Sequence, residues 1–411
     1  MVHYAWIIAF TGILVFMLSQ GFGKMSYSVI LPSMKDGLSL TYTQVGLIGT
    51  GNFIGYLVLA TVGGFLASRF GSRRFIFLSL IVMGVGLFLT GRSDSFSFAL
   101  VMRVIVGIGN GGAVVPMITL PAAWFVARKR GLAMGIVNMG VGLGLSLSGL
   151  ILPYCISCYG TDGWRYAWYL MGIVVLVCSF VCYALLRDHP REKGLTMYGG
   201  QTEESTAGAT ISLLSTFQKV VGEKEIWKLA CVYFMFGLSY MIYLTYFIAY
   251  LTREIGMQTA EAGRVFAILG FLSIFCGLPW GSFSDRVGRR YAALLAYLTL
   301  AISFLLFAFC QGTFALYLSA IIFGTTAFAI PVIMAAAVGD AVNGRLAAAG
   351  FGFITLFFGI GQAFAPFIGG WIKDTTGTFT NGFVVCAVIA LLGAFSSLFL
   401  KKRVQEQSER H

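Results

Sequence analysis

Gly64-Phe-Leu-Ala-Ser68-Arg69-Phe-Gly71-Ser-Arg73-Arg74 and Gly281-Ser-Phe-Ser-Asp285-Arg286-Val-Gly288-Arg289-Arg290 are two versions of one polar loop. The first glycine, the arginine and the second glycine recur at a constant offset of 217 residues. A second echo keeps nearly the same distance, since Arg130-Gly-Leu-Ala133-Met-Gly135 and Arg345-Leu-Ala-Ala348-Ala-Gly350 are 215 residues apart. Long apolar runs flank each loop. The repeating unit is therefore a group of hydrophobic segments, present twice in like orientation.

Of 411 residues, 58% are hydrophobic and 11% charged, against about 25% charged in a soluble domain. Runs of about twenty apolar residues cross a hydrocarbon core of about 30 Å as helices. Twelve are expected, near residues 6–34, 45–67, 75–91, 98–125, 132–154, 167–186, 226–251, 262–283, 291–309, 314–338, 347–372 and 383–400. The fold class is thus an all-α integral membrane protein with twelve transmembrane helices in two pseudo-symmetric six-helix bundles. Residues 1–188 form the first bundle, 189–225 a polar linker, and 226–411 the second bundle with a short tail. The apolar pattern at 211–221 allows a short amphipathic helix in the linker.

Loops on the side of the termini carry Arg69, Arg73, Arg74, Arg128, Lys129, Arg130, Arg286, Arg289, Arg290 and Arg345, plus the cations of the linker and tail. The opposite loops carry only Lys35, Arg92, Arg165, Arg253 and Lys373. By the positive-inside rule both termini are cytoplasmic, in a multi-pass protein of the cell inner membrane. This asymmetry, facing anionic lipid, accounts for the net charge of +12 without a nucleic-acid partner. The first apolar run is too long for a cleavable signal peptide and lacks a basic leader, so it is read as the first span.

The three histidines, His3, His189 and His411, fall outside the spans, which leaves no zinc site or intramembrane histidine relay. Cys155 and Cys158 form a C-x-x-C without matching ligands and are read as packing residues. There is no Ser-His-Asp set, metal cluster or nucleotide loop, so neither enzymatic chemistry nor a cofactor is expected.

The D-R-x-G loop, together with Arg103-Val-Ile-Val-Gly107-Ile-Gly109-Asn110 in the fourth span, resembles motifs of the major facilitator superfamily, and the likeness covers essentially the whole chain. It implies transport by alternating access through a central cavity lined mainly by the first, fourth, seventh and tenth helices; a single-chain carrier of this length is expected to work as a monomer. It also implies a latch role for Arg69, Gly71, Asp285, Arg286 and Gly288, with Ser68 standing where the first copy should carry its acid. Arg103 is either a coupling group or a helix-packing anchor. The fifth span reads Ser148-Gly149-Leu-Ile-Leu-Pro153, which departs from the G-P-x-x-G-G signature of drug antiporters. Lys24 before Met25-Ser-Tyr-Ser-Val29, and Gly163-Trp164-Arg165-Tyr-Ala-Trp168, are similar to the monocarboxylate and oxalate-formate branches. The eighth span lacks the Asp and Arg that animal monocarboxylate carriers place there.

Within the spans two cations stand out, Lys24 and Arg103, and no Asp or Glu falls at mid-membrane to neutralise them. Gln20, Lys24, Tyr27 and Ser28 share one stripe of the first span. Further candidate contacts are Asn52 and Tyr56, Asn110, Asn138, Tyr240 and Tyr243. At 1.5 Å per residue Lys24 lies about 27 Å from Trp6, so a second reading has it snorkelling to the surface. The expected function is secondary active transport of a small organic anion of the carboxylate type, by proton symport or exchange. The alternative, favoured by an aromatic content of 15%, is export of a neutral or hydrophobic compound.

Overall fold

A computed structural model describes residues 3–200, 213–310, 312–342 and 344–401. Among the described residues eleven helices are long and apolar enough to cross a membrane. In chain order they are α1 (Tyr4–Gly37), α2 (Tyr42–Phe70), α3 (Ser72–Gly91), α4 (Phe96–Trp124), α5 (Arg128–Cys158), α6 (Gly160–Leu185) and α7 (Lys224–Arg253), then α9 (Arg289–Phe309), α10 (Thr313–Ala341), α11 (Leu346–Thr376) and α12 (Thr380–Ser397). The eighth span, α8, completes twelve but is broken into Thr259–Ser273 and Gly277–Val287.

The break has a local cause. Pro279 lacks an amide hydrogen and its ring crowds the carbonyl four residues back, which favours a break in the turn before it. Ile274, Phe275 and Cys276 accordingly donate to Phe271, Leu272 and Ser273, three residues back. A short linker helix spans Leu213–Gly222, close to the expected amphipathic segment; residues 211 and 212 lie outside the described residues.

The repeated loops owe their second glycine to backbone geometry. Gly71 ends α2 at φ +86° and Gly288 ends α8 at φ +89°, a region that side-chain-bearing residues rarely enter. At Gly71 a Cβ would also lie 2.7 Å from an Asp188 carboxylate oxygen.

α1 is not uniform. Between Tyr4–Phe16 and Tyr27–Gly37 the backbone is π-helical over Met17–Met25. Two asparagines clamp this stretch: Asn110 donates to the Ser19 carbonyl at 3.0 Å and Asn52 to the Gly23 carbonyl at 3.4 Å. Gly21 crosses Gly144 of α5 so closely that a Cβ on it would lie 2.4 Å from the Gly144 Cα. Widened turns of this kind re-aim side chains and gather at functional sites.

α1–α6 form one bundle and α7–α12 the other. They meet through α2 on α11, α5 on α8 and α1 on α7. Small residues bring the α5 and α8 backbones together, since a Cβ on Gly142 would lie 2.6 Å from the Gly270 carbonyl oxygen, and one on Gly149 2.5 Å from that of Gly263. At the end remote from the termini, here the distal end, polar contacts add to the seal. Arg253 ion-pairs with Asp36. The Asp374 carboxylate accepts from the Tyr42 and Thr43 amides and the Thr43 hydroxyl at 3.1, 2.7 and 2.6 Å, capping α2 across the bundle boundary.

Among the described residues, Arg73 and Arg289 of the repeated loops bond within their own bundles at the other end. The Arg73 amide donates to Asp188 at 2.7 Å. Arg289 pairs with Asp285 at 2.7 Å and with Asp340 at 3.0 Å. Arg69 and Arg286 are exposed.

Candidate substrate site

Lys24 projects from the π-helical stretch of α1 and is 5% exposed. Its ammonium does not snorkel. It donates to Gln362 Oε1 of α11 at 3.0 Å and lies 4.7 and 5.0 Å from the ring centroids of Phe53 and Tyr56 on α2.

Arg103 of α4 is 1% exposed and packs against both Tyr27 and Trp168, its guanidinium carbon 5.1 and 5.0 Å from their ring centroids. Its Nε and Nη1 have no hydrogen-bond partner among the described residues. Cation–π contacts contribute about 0.5–2 kcal/mol, whereas the effective penalty of burying an ion is several kcal/mol. The rings alone do not offset the burial.

Both cations line one cavity of about 10 Å³, a size that holds about one water. Asn52, Ser28 and Thr245 share its wall with Tyr27, Phe53 and Pro366, and none of its lining residues is acidic. Three further buried polar atoms there lack partners: Ser28 Oγ, Asn52 Oδ1 and Thr245 Oγ1. Two positive charges and a set of unsatisfied polar atoms thus converge on a space with no negative charge of its own. That arrangement suits an anion, because the unpaired Arg103 N–H groups and the Ser28 and Thr245 hydroxyls can each donate a charge-assisted bond to it, while the Asn52 oxygen can only accept, as from a hydroxyl of the cargo.

Other expected residues fall at different distances from this point. Tyr27 forms wall, its hydroxyl donating to the Val45 carbonyl at 2.7 Å. Gln20 is half-buried and neighbours Tyr56. Tyr240 receives the Gln362 amide and so belongs to the Lys24 network. Asn110 donates its amide nitrogen to the Ser19 carbonyl and is not among the residues that line the cavity. Asn138 is exposed on α5. Tyr243 turns into the second bundle, its hydroxyl 2.8 Å from Ser319 Oγ and its ring among Phe247, Phe304, Phe307 and Phe323.

The helices also differ from expectation. The cavity is lined by α1, α2, α4, α7 and α11, and none of its lining residues comes from α10. The sequence reading passed over Gln362 and Thr245. Gln362 had a signal: it is the one amide in the apolar run Phe357-Phe-Gly-Ile-Gly-Gln362-Ala-Phe-Ala-Pro-Phe367. Thr245 had none, because a lone threonine in a span more often bonds its own helix.

The family model of the Major Facilitator Superfamily matches residues 10–277 and 229–411. The chain is 24% identical to the hexuronate transporter of Bacillus subtilis, over 91% of this chain and 89% of that one. It is 23% identical to a probable sulfoacetate transporter of Cupriavidus necator, over 92% and 89%. In fold it is similar to a bacterial homologue of the human lysosomal transporter Spinster, solved inward-facing and unoccupied, with a TM-score of 0.77 at 17% identity over 96% of each chain. The chain belongs to the Major Facilitator Superfamily, as a multi-pass membrane transporter and not an enzyme.

Proposed function

We propose that this member of the Major Facilitator Superfamily carries a small organic anion, of carboxylate or sulfonate type, by rocking its two bundles about the Lys24–Arg103 cavity. The observation that carries the reading is the pair of buried cations, Lys24 and Arg103, on one cavity whose lining has no acid. A buried cation in a membrane is held for a counter-charge, and here the counter-charge is the cargo. The relatives named for hexuronate and sulfoacetate transport agree with an anionic cargo.

With both termini taken as cytoplasmic, the sealed distal end faces outward, and exchange with that side follows when the distal contacts open. Proton symport or exchange supplies the driving force.

The test is a thermal-unfolding screen in detergent with glucuronate, sulfoacetate and tartrate, run on wild type and Lys24→Gln. A ligand bound only by the folded state raises the melting temperature, by the equivalent of about 2.7 kcal/mol at a hundredfold excess over Kd. The expected result is stabilisation of wild type that disappears in Lys24→Gln. Equal stabilisation of both proteins by neutral hydrophobic compounds, with no response to anions, would sink the proposal.

A further inference from the structure

Resting on the anion site proposed above, we propose that Gln362 is the empty carrier's stand-in for substrate at Lys24, a positioning residue that the arriving anion displaces. Gln362 is 1% exposed. A buried amide is costly unless it is hydrogen-bonded, and this one is bonded at both ends, to Lys24 and to Tyr240. Its orientation follows from chemistry. A lysine ammonium can only donate, so the amide oxygen faces Lys24 and the amide nitrogen is left for the Tyr240 oxygen.

The chain Lys24 to Gln362 to Tyr240 runs from α1 in one bundle to α11 and α7 in the other. Among the described residues, the remaining side chain to side chain bonds between the bundles, Arg253 to Asp36 and Thr43 to Asp374, are at the distal end. Gln362 is also set firmly in place. A Cβ on its neighbour Gly361 would lie 2.5 Å from the Phe234 carbonyl oxygen, so α11 is seated directly on α7.

A neutral amide is the weaker partner. The bond from the Lys24 ammonium to the amide is already charge-assisted, but a carboxylate or sulfonate adds the attraction of a full opposite charge where water does not screen it, so it takes Lys24 from Gln362. Occupancy then replaces the mid-membrane bond between the bundles with a bond to cargo. Gln362 thereby sets both the affinity for the anion and the ease with which the empty carrier reorients, because it keeps Lys24 partnered when no anion is present.

The experiment reconstitutes wild type, Gln362→Glu, Gln362→Leu and Lys24→Gln in proteoliposomes and measures net uptake and exchange of glucuronate and of sulfoacetate. Gln362→Glu is nearly isosteric and gives Lys24 a permanent carboxylate. It is expected to raise KM for both probes by at least about tenfold, the factor carried by one strong bond. Gln362→Leu removes the competitor and is expected to lower KM, while net uptake falls at least about tenfold relative to exchange because only net uptake requires the empty carrier to return.

Wild-type KM in Gln362→Glu overturns the inference. So does a parallel loss of net uptake and exchange at unchanged KM in Gln362→Leu, which marks a packing role. Should Gln362→Leu fail to fold, Gln362→Glu decides alone. Lys24→Gln reports on the underlying site: unchanged KM there removes the site and the inference together, whereas raised KM with wild-type behaviour of both Gln362 variants removes the inference only.

Discussion

Asn52 of α2 and Tyr243 of α7 show how differently two buried polar side chains are used. Asn52 divides its amide between structure and site. Its nitrogen donates to the Gly23 and Arg103 carbonyls at 3.4 and 3.2 Å, while its oxygen is left facing the cavity. Asn52→Ala is expected to lower stability by about 1–3 kcal/mol, the cost of orphaned buried partners, and to weaken binding of glucuronate, whose hydroxyls can donate to the free amide oxygen. Thermal unfolding with and without glucuronate measures both effects. Tyr243 has no share in the cavity. Tyr243→Phe is expected to cost about 0.5–1.5 kcal/mol through its lost bond to Ser319 and to leave KM for the anion unchanged, which flux assays on the same preparation check. A raised KM would return Tyr243 to the site.

Elements reach the site through backbone proximity more than through side-chain interlocking. The crossing of α1 over α5 at Gly21 and Gly144 brings the π-helical stretch inward. On Gly144 a Cβ would lie 2.5 Å from the Gly21 Cα. Gly144→Val cannot be absorbed by a rotamer change, because the obstacle is backbone, so the helices must separate. Overpacking of this kind costs about 1–3 kcal/mol. It is expected to pull Lys24 out of reach of Gln362, abolishing anion-induced stabilisation although no site side chain has changed. Unaltered binding in that variant would show that α1 does not depend on this contact for its register.

For the whole molecule, the conformational equilibrium is set by contacts between the bundles. The distal end is held by the Arg253–Asp36 pair and by Asp374 capping α2. A surface ion pair contributes up to about 1 kcal/mol and hydrogen bonds to a charged group about 1.5–3 kcal/mol. Their joint removal shifts the population by tenfold or more, since each 1.4 kcal/mol is about a factor of ten. In an Asp36→Asn, Asp374→Asn double variant, a Thr245→Cys reporter is therefore expected to react with a membrane-impermeant maleimide applied from the distal side. Thr245 is 2% exposed in the sealed state, so the same reporter in the otherwise unaltered chain should stay unlabelled. The eight native cysteines are replaced beforehand, since Cys158 and Cys231 are exposed. An unlabelled double variant would mean that the helix packing of α2 on α11 seals this end without help from charge.

Much of this protein was legible in its sequence because the bilayer leaves few choices. Backbone groups in hydrocarbon must be satisfied within the segment, so each long apolar run becomes a helix, and the repeat around Gly71 and Gly288 paired six helices with six. Lys24 and Arg103 were conspicuous for a similar reason, since a charge in an apolar run is costly wherever it points. The sequence could not say where they point. Helical spacing placed Tyr243 and Tyr240 on comparable footing, yet contact with α9, α10 and α12 drew one into the second bundle's core and contact with α11 joined the other to Lys24. The π-helical turns over Met17–Met25 shift the phase of α1 by an amount that an α-helical wheel does not contain. Gln362 lies 338 residues from Lys24 along the chain. Their meeting was decided by how two bundles pack, since helix formation is dictated locally whereas packing depends on every surface that touches at once.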